Sequence, residues 1–157
     1  MSTATAPHRE PAAISWAAMI LASHRKFVGI DLVPAVPPEG RTDTLYHLPA
    51  IVVAHDATAD PCFVYANAAA QALWGYQWSR FVGMPSRLSA PPEERGKRGN
   101  LLEDGRRAGV VIGRDLVRVA ADGRRFVVAE VVLWNLVDAS GTRIGQAATY
   151  DRWRWSQ

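Results

Sequence analysis

The segment CFVYANAAAQALWGYQWSRFVGMPSRLSA, from Cys62 to Ala90, constrains the fold of this chain more than any other part. The start of the segment favours a β-strand. Asn67 follows, and its side-chain oxygen can accept hydrogen bonds from the free amides of a first helical turn. The pattern therefore predicts a helix over 68–74 that ends at Gly75, and then a second, short helix that Pro85 prevents from continuing.

The composition limits the class of protein. A chain of 157 residues with 48% hydrophobic residues has the size of a single domain with one core. Its 18 basic and 15 acidic residues leave a net charge of +3, which does not favour a nucleic-acid partner. No stretch approaches the roughly 18 apolar residues that a membrane span needs. The single cysteine, Cys62, excludes an internal disulfide and fits a reducing, cytoplasmic location.

Apolar spacing and prolines divide the chain into three parts. Residues 1–9 are predicted to be a flexible tail, residues 10–45 a helix with a Pro-rich linker, and residues 46–157 the main domain. The first helix is expected to begin at Pro11 and to end at Gly29. Its apolar stripe consists of Ile14, Ala17, Ala18, Leu21 and Val28, widened by Trp16 and Ile20. A stripe of this width needs another surface to lie on.

The rest of the chain alternates between strand, turn and helix signals. Five strands are predicted, at about 48–55, 62–66, 110–120, 124–137 and 142–150. Asp122-Gly123 is a strong signal for a two-residue hairpin turn, and a longer turn is predicted near Ser140. A further helix is predicted to end near Gly109. The basic residues that can form one face around it are Arg95, Lys97, Arg98, Arg106 and Arg107.

The order of these elements and several motifs resemble a known family. The segment around YANAAAQALWGY resembles the first half of a PAS domain. More narrowly, GMPSRLSAPPEER, GRRFVVAEVVLWN and GQAA resemble the MEKHLA family within the PAS-like group, as found in stand-alone bacterial members. The resemblance implies an α+β fold: a five-stranded antiparallel sheet with helices on one face and an added N-terminal helix. It also implies a sensory or interaction module.

The resemblance further implies a small organic ligand held between the sheet and the helices. Arg87 stands in a loop with two hydroxyl groups and can donate to an anion or a carbonyl. The alternative is a structural salt bridge to Glu93, Glu94 or another carboxylate. The residues predicted to contact the ligand are Arg87, Arg118, Ser86, Ser89, Trp134, Asn135, Gln146, Trp74 and Tyr76. The arginines favour an anionic ligand. We also expect a homodimer, with no membrane or nucleic-acid partner.

The predicted strand over 124–137 is apolar on both faces, so the sheet is expected to be covered on both sides. If Asp122-Gly123 centres the first hairpin, Arg118 lies opposite Val127 and Arg114 opposite Val131. The comparison with PAS domains implies that this face lines the internal pocket, where each guanidinium needs an acceptor or a ligand anion. A bulge or a one-residue slip returns both arginines to solvent, and both interpretations stay open.

The second hairpin suggests an alternative function. If its turn is centred near Ser140, Trp134 lies opposite Gln146 and Glu130 lies opposite Tyr150. These side chains then share the face beneath the N-terminal helix, as a polar network or as a second ligand site. Glu130 and Tyr150, desolvated beside Trp134, can act as an acid/base pair. The alternative to a binding module is therefore a small cofactor-independent enzyme.

Cysteine and histidine positions bear on cofactors. PAS photosensors that bind flavin carry a reactive Cys in an Asn-Cys-Arg helix, and the matching helix here, NAAAQALWGY, has none. Haem PAS sensors use a His, commonly in the later helix, where this chain also has none. His8, His24, His47 and His55 show no metal-ligand spacing, although one of them remains an option for haem. We therefore expect neither flavin, haem nor a metal ion.

Overall fold

The structure is a computed structural model that describes residues 6–34 and 40–156. Its helices are α1 (Pro11–Val28), α2 (Arg41–Tyr46), α3 (Ala68–Trp74), α4 (Trp78–Phe81) and α5 (Arg95–Ala108). Its strands are β1 (Ile51–Asp56), β2 (Phe63–Ala66), β3 (Val110–Val119), β4 (Arg125–Val137), β5 (Arg143–Tyr150) and β6 (Trp153–Trp155). Short 3-10 turns occupy Pro7–Arg9, Ser86–Ser89 and Pro92–Glu94.

The strands form one antiparallel sheet in the order β2-β1-β5-β4-β3. The predicted α+β fold, with its five-stranded sheet and added N-terminal helix, is confirmed. Two elements were not predicted. Helix α2 precedes the sheet, and β6 pairs with the first part of β4, where Trp155 lies opposite Phe126.

Local sequence signals fix the ends of the helices. Asn67 caps α3 by accepting a hydrogen bond from the amide of Ala70 over 3.1 Å. The same buried side chain accepts from the amide of Val52 and donates to the carbonyl of Ala50, so it also ties α3 to β1. Helix α3 ends at Gly75, whose φ of 81° is a left-handed conformation that favours glycine.

Helix α1 covers the face of the sheet opposite α3 and α5, as its apolar stripe predicts. Ala17 and Ile20 are buried against this face. Ser23 Oγ accepts a hydrogen bond from the amide of Val137 over 3.1 Å. The buried stripe is rotated from the predicted one, because Ile14 remains 42% exposed while Ile20 is fully buried.

The β3–β4 hairpin has a register one residue away from the predicted one. Its loop contains three residues, because Ala120 donates its amide to the carbonyl of Arg124 across the turn. Gly123, at φ 88°, supplies the left-handed residue that such a loop needs. Arg114 consequently lies opposite Glu130, and not opposite Val131. The two side chains form an ion pair of 2.6 Å on the outer face, so Arg114 takes the solvent-exposed one of the two positions that the sequence left open.

The inward-facing residues of β3 and β4 change phase halfway along the hairpin. A Cβ on Gly113 would contact Val131, and Leu116 and Val128, which face each other, both line the interior. At this point of each strand, two residues therefore lie between one inward-facing residue and the next. In a regular strand only one residue does. Asp115 lies here with φ 54°, a conformation that few non-glycine residues adopt. This phase change brings Arg118 inward in spite of the altered register.

The β4–β5 pairing is also shifted by one residue. Near the turn, Val137 still pairs with Arg143, as a turn centred at Ser140 requires. An irregularity between Leu136 and Val137 then shifts the register, so that Trp134 lies opposite Ala147, and not opposite Gln146.

The shift reverses the faces of β5. Gln146 and Tyr150 line the interior, whereas Trp134 lies under α1 and Glu130 pairs with exposed Arg114. The predicted acid/base pair of Glu130 and Tyr150 is therefore not formed, because the two side chains lie on opposite faces of the sheet.

Parts of the predicted tail and linker lie outside the described residues, at 1–5 and 35–39. Within the described part of the tail, the Pro7–Arg9 turn contacts α2 through a 3.2 Å hydrogen bond between His8 and Asp43. Within the described ranges, no helix combines the length and apolar character needed to cross a bilayer.

Candidate functional site

An interior cavity of about 50 Å³ lies between the sheet and helices α3 and α5. Its apolar wall includes Phe63, Leu101 and Val128. Helix α5 packs closely on the sheet beside it, because Gly105 leaves no room for a side chain: a Cβ there would lie 2.8 Å from Leu133. The polar groups that line the cavity come from five elements and the Ser86–Ser89 turn: His55, Trp74, Ser89, Arg98, Arg118, Gln146 and Tyr150.

Arg98 is the most deeply buried charged residue of this lining, with 9% of its surface exposed. Its guanidinium donates one hydrogen bond, to Ser86 Oγ at 2.8 Å. Burial, together with the positive charge of Arg118, lowers the pKa of Arg98 to about 9. Throughout residues 6–34 and 40–156, no carboxylate lies within ion-pair distance of Arg98. The group nevertheless remains a cation at neutral pH.

Arg118 reaches the same cavity from β3. Its guanidinium donates to the carbonyl of Val117 over 2.9 Å, and no ion pair to it is found in the described part of the chain. Burial also lowers the pKa of Arg118. Two guanidinium groups of like charge, that of buried Arg98 and that of partly buried Arg118, thus line one cavity. This arrangement is costly unless an anion or water supplies acceptors.

Three further polar atoms at the cavity have no hydrogen-bond partner among the residues that the structure describes: His55 Nε2, Trp74 Nε1 and Tyr150 Oη. Burial raises the pKa of Tyr150, so its hydroxyl stays protonated and can donate. Burial lowers the pKa of His55 to about 4, so its ring is neutral at pH 7. Its Nδ1 lies 2.8 Å from the carbonyl of Asp56, which can only accept, so Nδ1 carries the proton and Nε2 is an acceptor.

The loop after Pro85 contributes differently from the prediction. Ser86 is buried and supports Arg98, and Ser89 lines the cavity while its hydroxyl donates to the carbonyl of Ser86. Arg87 lies on the surface and pairs with Asp60 at 3.2 Å. The structural salt bridge expected as the alternative for Arg87 therefore forms, with Asp60 as the carboxylate.

The remaining predicted ligand residues divide between the two faces. Trp74 and Gln146 line the cavity, and Gln146 joins Asn135 through a 3.3 Å hydrogen bond. Trp134 lies on the other face, where His24 packs edge-on against it at 4.8 Å. Tyr76 packs against Phe81 and does not line the cavity.

Sequence reasoning missed Arg98 and His55 as cavity residues. A signal for Arg98 was present, because Arg98, Leu101, Leu102 and Gly105 recur at helical spacing along one face of α5. This signal was obscured because Arg98 is also one of the basic residues predicted to form a solvated face around α5. No comparable signal marked His55, whose position inside the cavity depends on the pairing of β1 with β5.

A family model for the MEKHLA domain matches residues 14–155, from the N-terminal helix to the last strand. The chain belongs to the MEKHLA domain family. The predicted family resemblance is thereby confirmed. No match to a curated protein reaches significance.

Solved structures place this MEKHLA domain within the PAS fold. A PAS domain of a protein from Colwellia psychrerythraea aligns with a TM-score of 0.64 and 14% identity, over 75% of this chain and 95% of that one. A light-oxygen-voltage domain studied with a flavin analogue aligns at 0.56 and 22%, over 74% and 84%. An RNA-binding light-oxygen-voltage receptor aligns at 0.57 and 21%, over 76% and 36%. At these identities the likeness establishes the fold.

Proposed function

We propose that this MEKHLA domain is a sensory or interaction module whose interior cavity binds a small organic anion. Arg98 and Arg118 bind the negative charge, with the Tyr150 hydroxyl and the Trp74 indole as further donors. The observation that carries the proposal is the pair of guanidinium groups at one cavity, one buried and one partly buried, neither with a carboxylate partner in the described residues. A ligand anion would neutralise them and satisfy their free N–H groups.

The cavity volume limits the size of the ligand. A cavity needs about 10–15 Å³ to hold one water molecule, so about 50 Å³ accommodates a group of four or five non-hydrogen atoms. Short carboxylates have this size. His55 Nε2 adds an acceptor at the same cavity. A carboxylate that also carries a hydroxyl would therefore complement the lining better than a plain carboxylate.

The proposal is tested by thermal unfolding at pH 7.5 and constant ionic strength, with acetate, glycolate, glyoxylate, nitrate and the larger benzoate as probes. Saturable stabilisation by glycolate or another of the small anions, with little effect of benzoate, is expected. At a hundredfold excess over Kd, the stabilisation corresponds to about 2.7 kcal/mol. Native mass spectrometry of freshly purified protein, followed by denaturation, identifies any molecule that co-purifies.

Three arginine variants separate ligand binding from general electrostatics. Arg98→Met and Arg118→Met retain bulk but remove charged donors, so affinity for the anion should fall about 10-fold to 150-fold. Arg87→Met is the matched control, because Arg87 is exposed and bound to Asp60. Equal affinity in all three variants, or no saturable response to any small anion together with no co-purifying molecule, would overturn the proposal.

The same proposal covers cofactors. A colourless small anion fits the cavity volume, whereas a flavin or a haem is several times larger. Purified protein is therefore expected to show neither flavin absorption nor a Soret band. A stoichiometric chromophore that survives gel filtration would contradict the small-anion proposal.

The assembly and location of the protein remain part of this proposal. We expect a homodimer, which light scattering coupled to size-exclusion chromatography measures, and an effect of the bound anion on the dimer. If the protein is a monomer at all concentrations and with every anion, the expectation of a dimer is wrong, but the proposal that the cavity binds an anion still stands. The single Cys62 supports a reducing cytoplasm as the location.

A further inference from the structure

Three potential metal ligands meet where the Pro7–Arg9 turn contacts α2: His8, Asp43 and His47. Each offers one ligand atom, and these atoms all lie within 4.8 Å of one another. His8 Nε2 is 3.2 Å from Asp43 Oδ1, although the two residues are 35 positions apart in the chain. The histidines show no metal-ligand spacing along the sequence, because only folding brings His8 to α2.

The His8 ring is held in place before any ion binds. Its side chain is only 9% exposed. It stacks on the Tyr46 ring with 3.7 Å between centroids and 8° between planes, and Tyr46 also contacts His47 edge-on. His8 Nδ1 is buried and has no hydrogen-bond partner within residues 6–34 and 40–156, so the ring has a nitrogen unused by any of them. Ligands that are fixed by packing lose little freedom when a metal binds.

We propose that His8, Asp43 and His47 bind one divalent transition-metal ion of the Zn²⁺ type. Two imidazoles and one carboxylate are suitable ligands for such an ion, and three protein ligands leave a coordination position for water. Metal–ligand bonds of about 2.0–2.2 Å require small side-chain rotations that close the present separations. The bound ion would fasten the N-terminal turn, and with it the start of α1, to α2.

Arg9 is the competing group at this site. Its guanidinium lies 3.2 Å from the same Asp43 oxygen, and its side chain is 62% exposed. An incoming cation would displace the guanidinium into water, which costs little for a side chain this exposed. Removal of the Arg9 charge should therefore leave metal affinity unchanged or increase it.

The test is isothermal titration of the full, untagged chain with ZnCl₂, together with variants whose folding is checked by circular dichroism. One ion per chain is expected. His8→Ala, His47→Ala and Asp43→Asn should each lower the affinity at least 10-fold, and Asp43→Asn does so while keeping the size of the side chain. Arg9→Gln should retain or increase affinity, and Cys62→Ser, which removes the single thiol, should leave it unchanged.

A second measurement is the midpoint of thermal unfolding, which Zn²⁺ should raise in the parent and in Cys62→Ser but not in Asp43→Asn. The proposal is overturned by the absence of saturable one-to-one binding, or by parent-like affinity in both His8→Ala and Asp43→Asn. Loss of binding in Arg9→Gln as large as that in His8→Ala would also overturn it, because affinity would then follow the docking of the turn and not the ligands.

Discussion

Arg98 and Arg118 line one interior cavity, and the charge of Arg118 lowers the pKa of Arg98. Neither guanidinium has a carboxylate within ion-pair distance in the described residues. Like charges in a buried position destabilise the unliganded protein, and a bound anion would reverse that effect. Replacing either arginine should therefore increase the stability of the anion-free protein and weaken its response to the anion.

We expect Arg98→Met to increase the free energy of unfolding of the anion-free protein by about 1 kcal/mol, because it removes a buried charge and keeps most of the side-chain volume. Urea unfolding at low ionic strength measures the change. Arg106→Met on the same helix is the control, since Arg106 is exposed and pairs with Glu103. A variant that is clearly less stable than the parent would show that the hydrogen bond to Ser86 outweighs the cost of burial.

The stability of the protein should decrease as the pH is lowered from about 6.5 to about 4. Burial lowers the pKa of His55 from 6.5 to about 4, so within this range the unfolded state binds a proton that the folded state does not. The contribution of His55 is fully present above pH 6.5 and is lost as the pH approaches 4, with an upper limit of roughly 3 kcal/mol.

Chemical unfolding at several pH values, on the parent and on His55→Asn, measures this contribution. The Asn side chain can still donate to the carbonyl of Asp56 but does not titrate. The free energy of unfolding of the variant should still depend on pH, but with a smaller slope, because burial also lowers the pKa of His24. Identical slopes for the two proteins would show that His55 is not the group responsible.

Gly145→Ala should destabilise the protein by about 3 kcal/mol or more. A Cβ at this position would overlap the backbone carbonyl oxygen of His55 on the neighbouring strand, and backbone in the centre of a sheet cannot move away cheaply. Gly99→Ala is the matched control. Gly99 lies in α5 with no atom within 4 Å of its added Cβ, so alanine should stabilise the helix by about 0.5–1 kcal/mol. Thermal unfolding that ranks the two variants in the reverse order would contradict the packing at Gly145.

Ile20→Ala in α1 should lower the free energy of unfolding by about 2–4 kcal/mol, because Ile20 is fully buried against the sheet. Ile14→Ala, on the same helix, should change it by less than about 0.5 kcal/mol, since Ile14 is 42% exposed. Urea unfolding of both variants makes the comparison. Similar effects of the two replacements would indicate that α1 does not pack on the sheet as described.

Local signals allowed much of the fold to be predicted from the sequence. Asn67 caps α3, and Gly75 ends it, because each role depends on residues close by in the chain. The strand registers could not be obtained in the same way. Asp122-Gly123 is compatible with both a two-residue and a three-residue loop, and the amide of Ala121 is held by the carbonyl of Trp74, which belongs to another element. A local sequence pattern carries no information about a tertiary contact of this kind.

The candidate site depended on these registers and was therefore only partly predictable. Arg118 reaches the cavity, which is one of the two positions that the sequence left open, although by a different register. Tyr150 had been placed on the wrong face, because the irregularity beside Val137 shifts the pairing of β5. The position of His55 at the cavity could not be predicted, because a lone histidine within an apolar strand carries no periodic signal of its own.

The phase change at Asp115 also determines how β4 should tolerate mutation. From Phe126 to Leu133, the inward residues are spaced by two, then three, then two positions: Phe126, Val128, Val131 and Leu133. If each residue of this strand is replaced in turn by a polar residue, the loss of stability should be largest at these four positions. Among homologues, an insertion or deletion in β3 or β4 alone would put the two halves of the hairpin out of phase. Length changes here should therefore appear in both strands together or in neither.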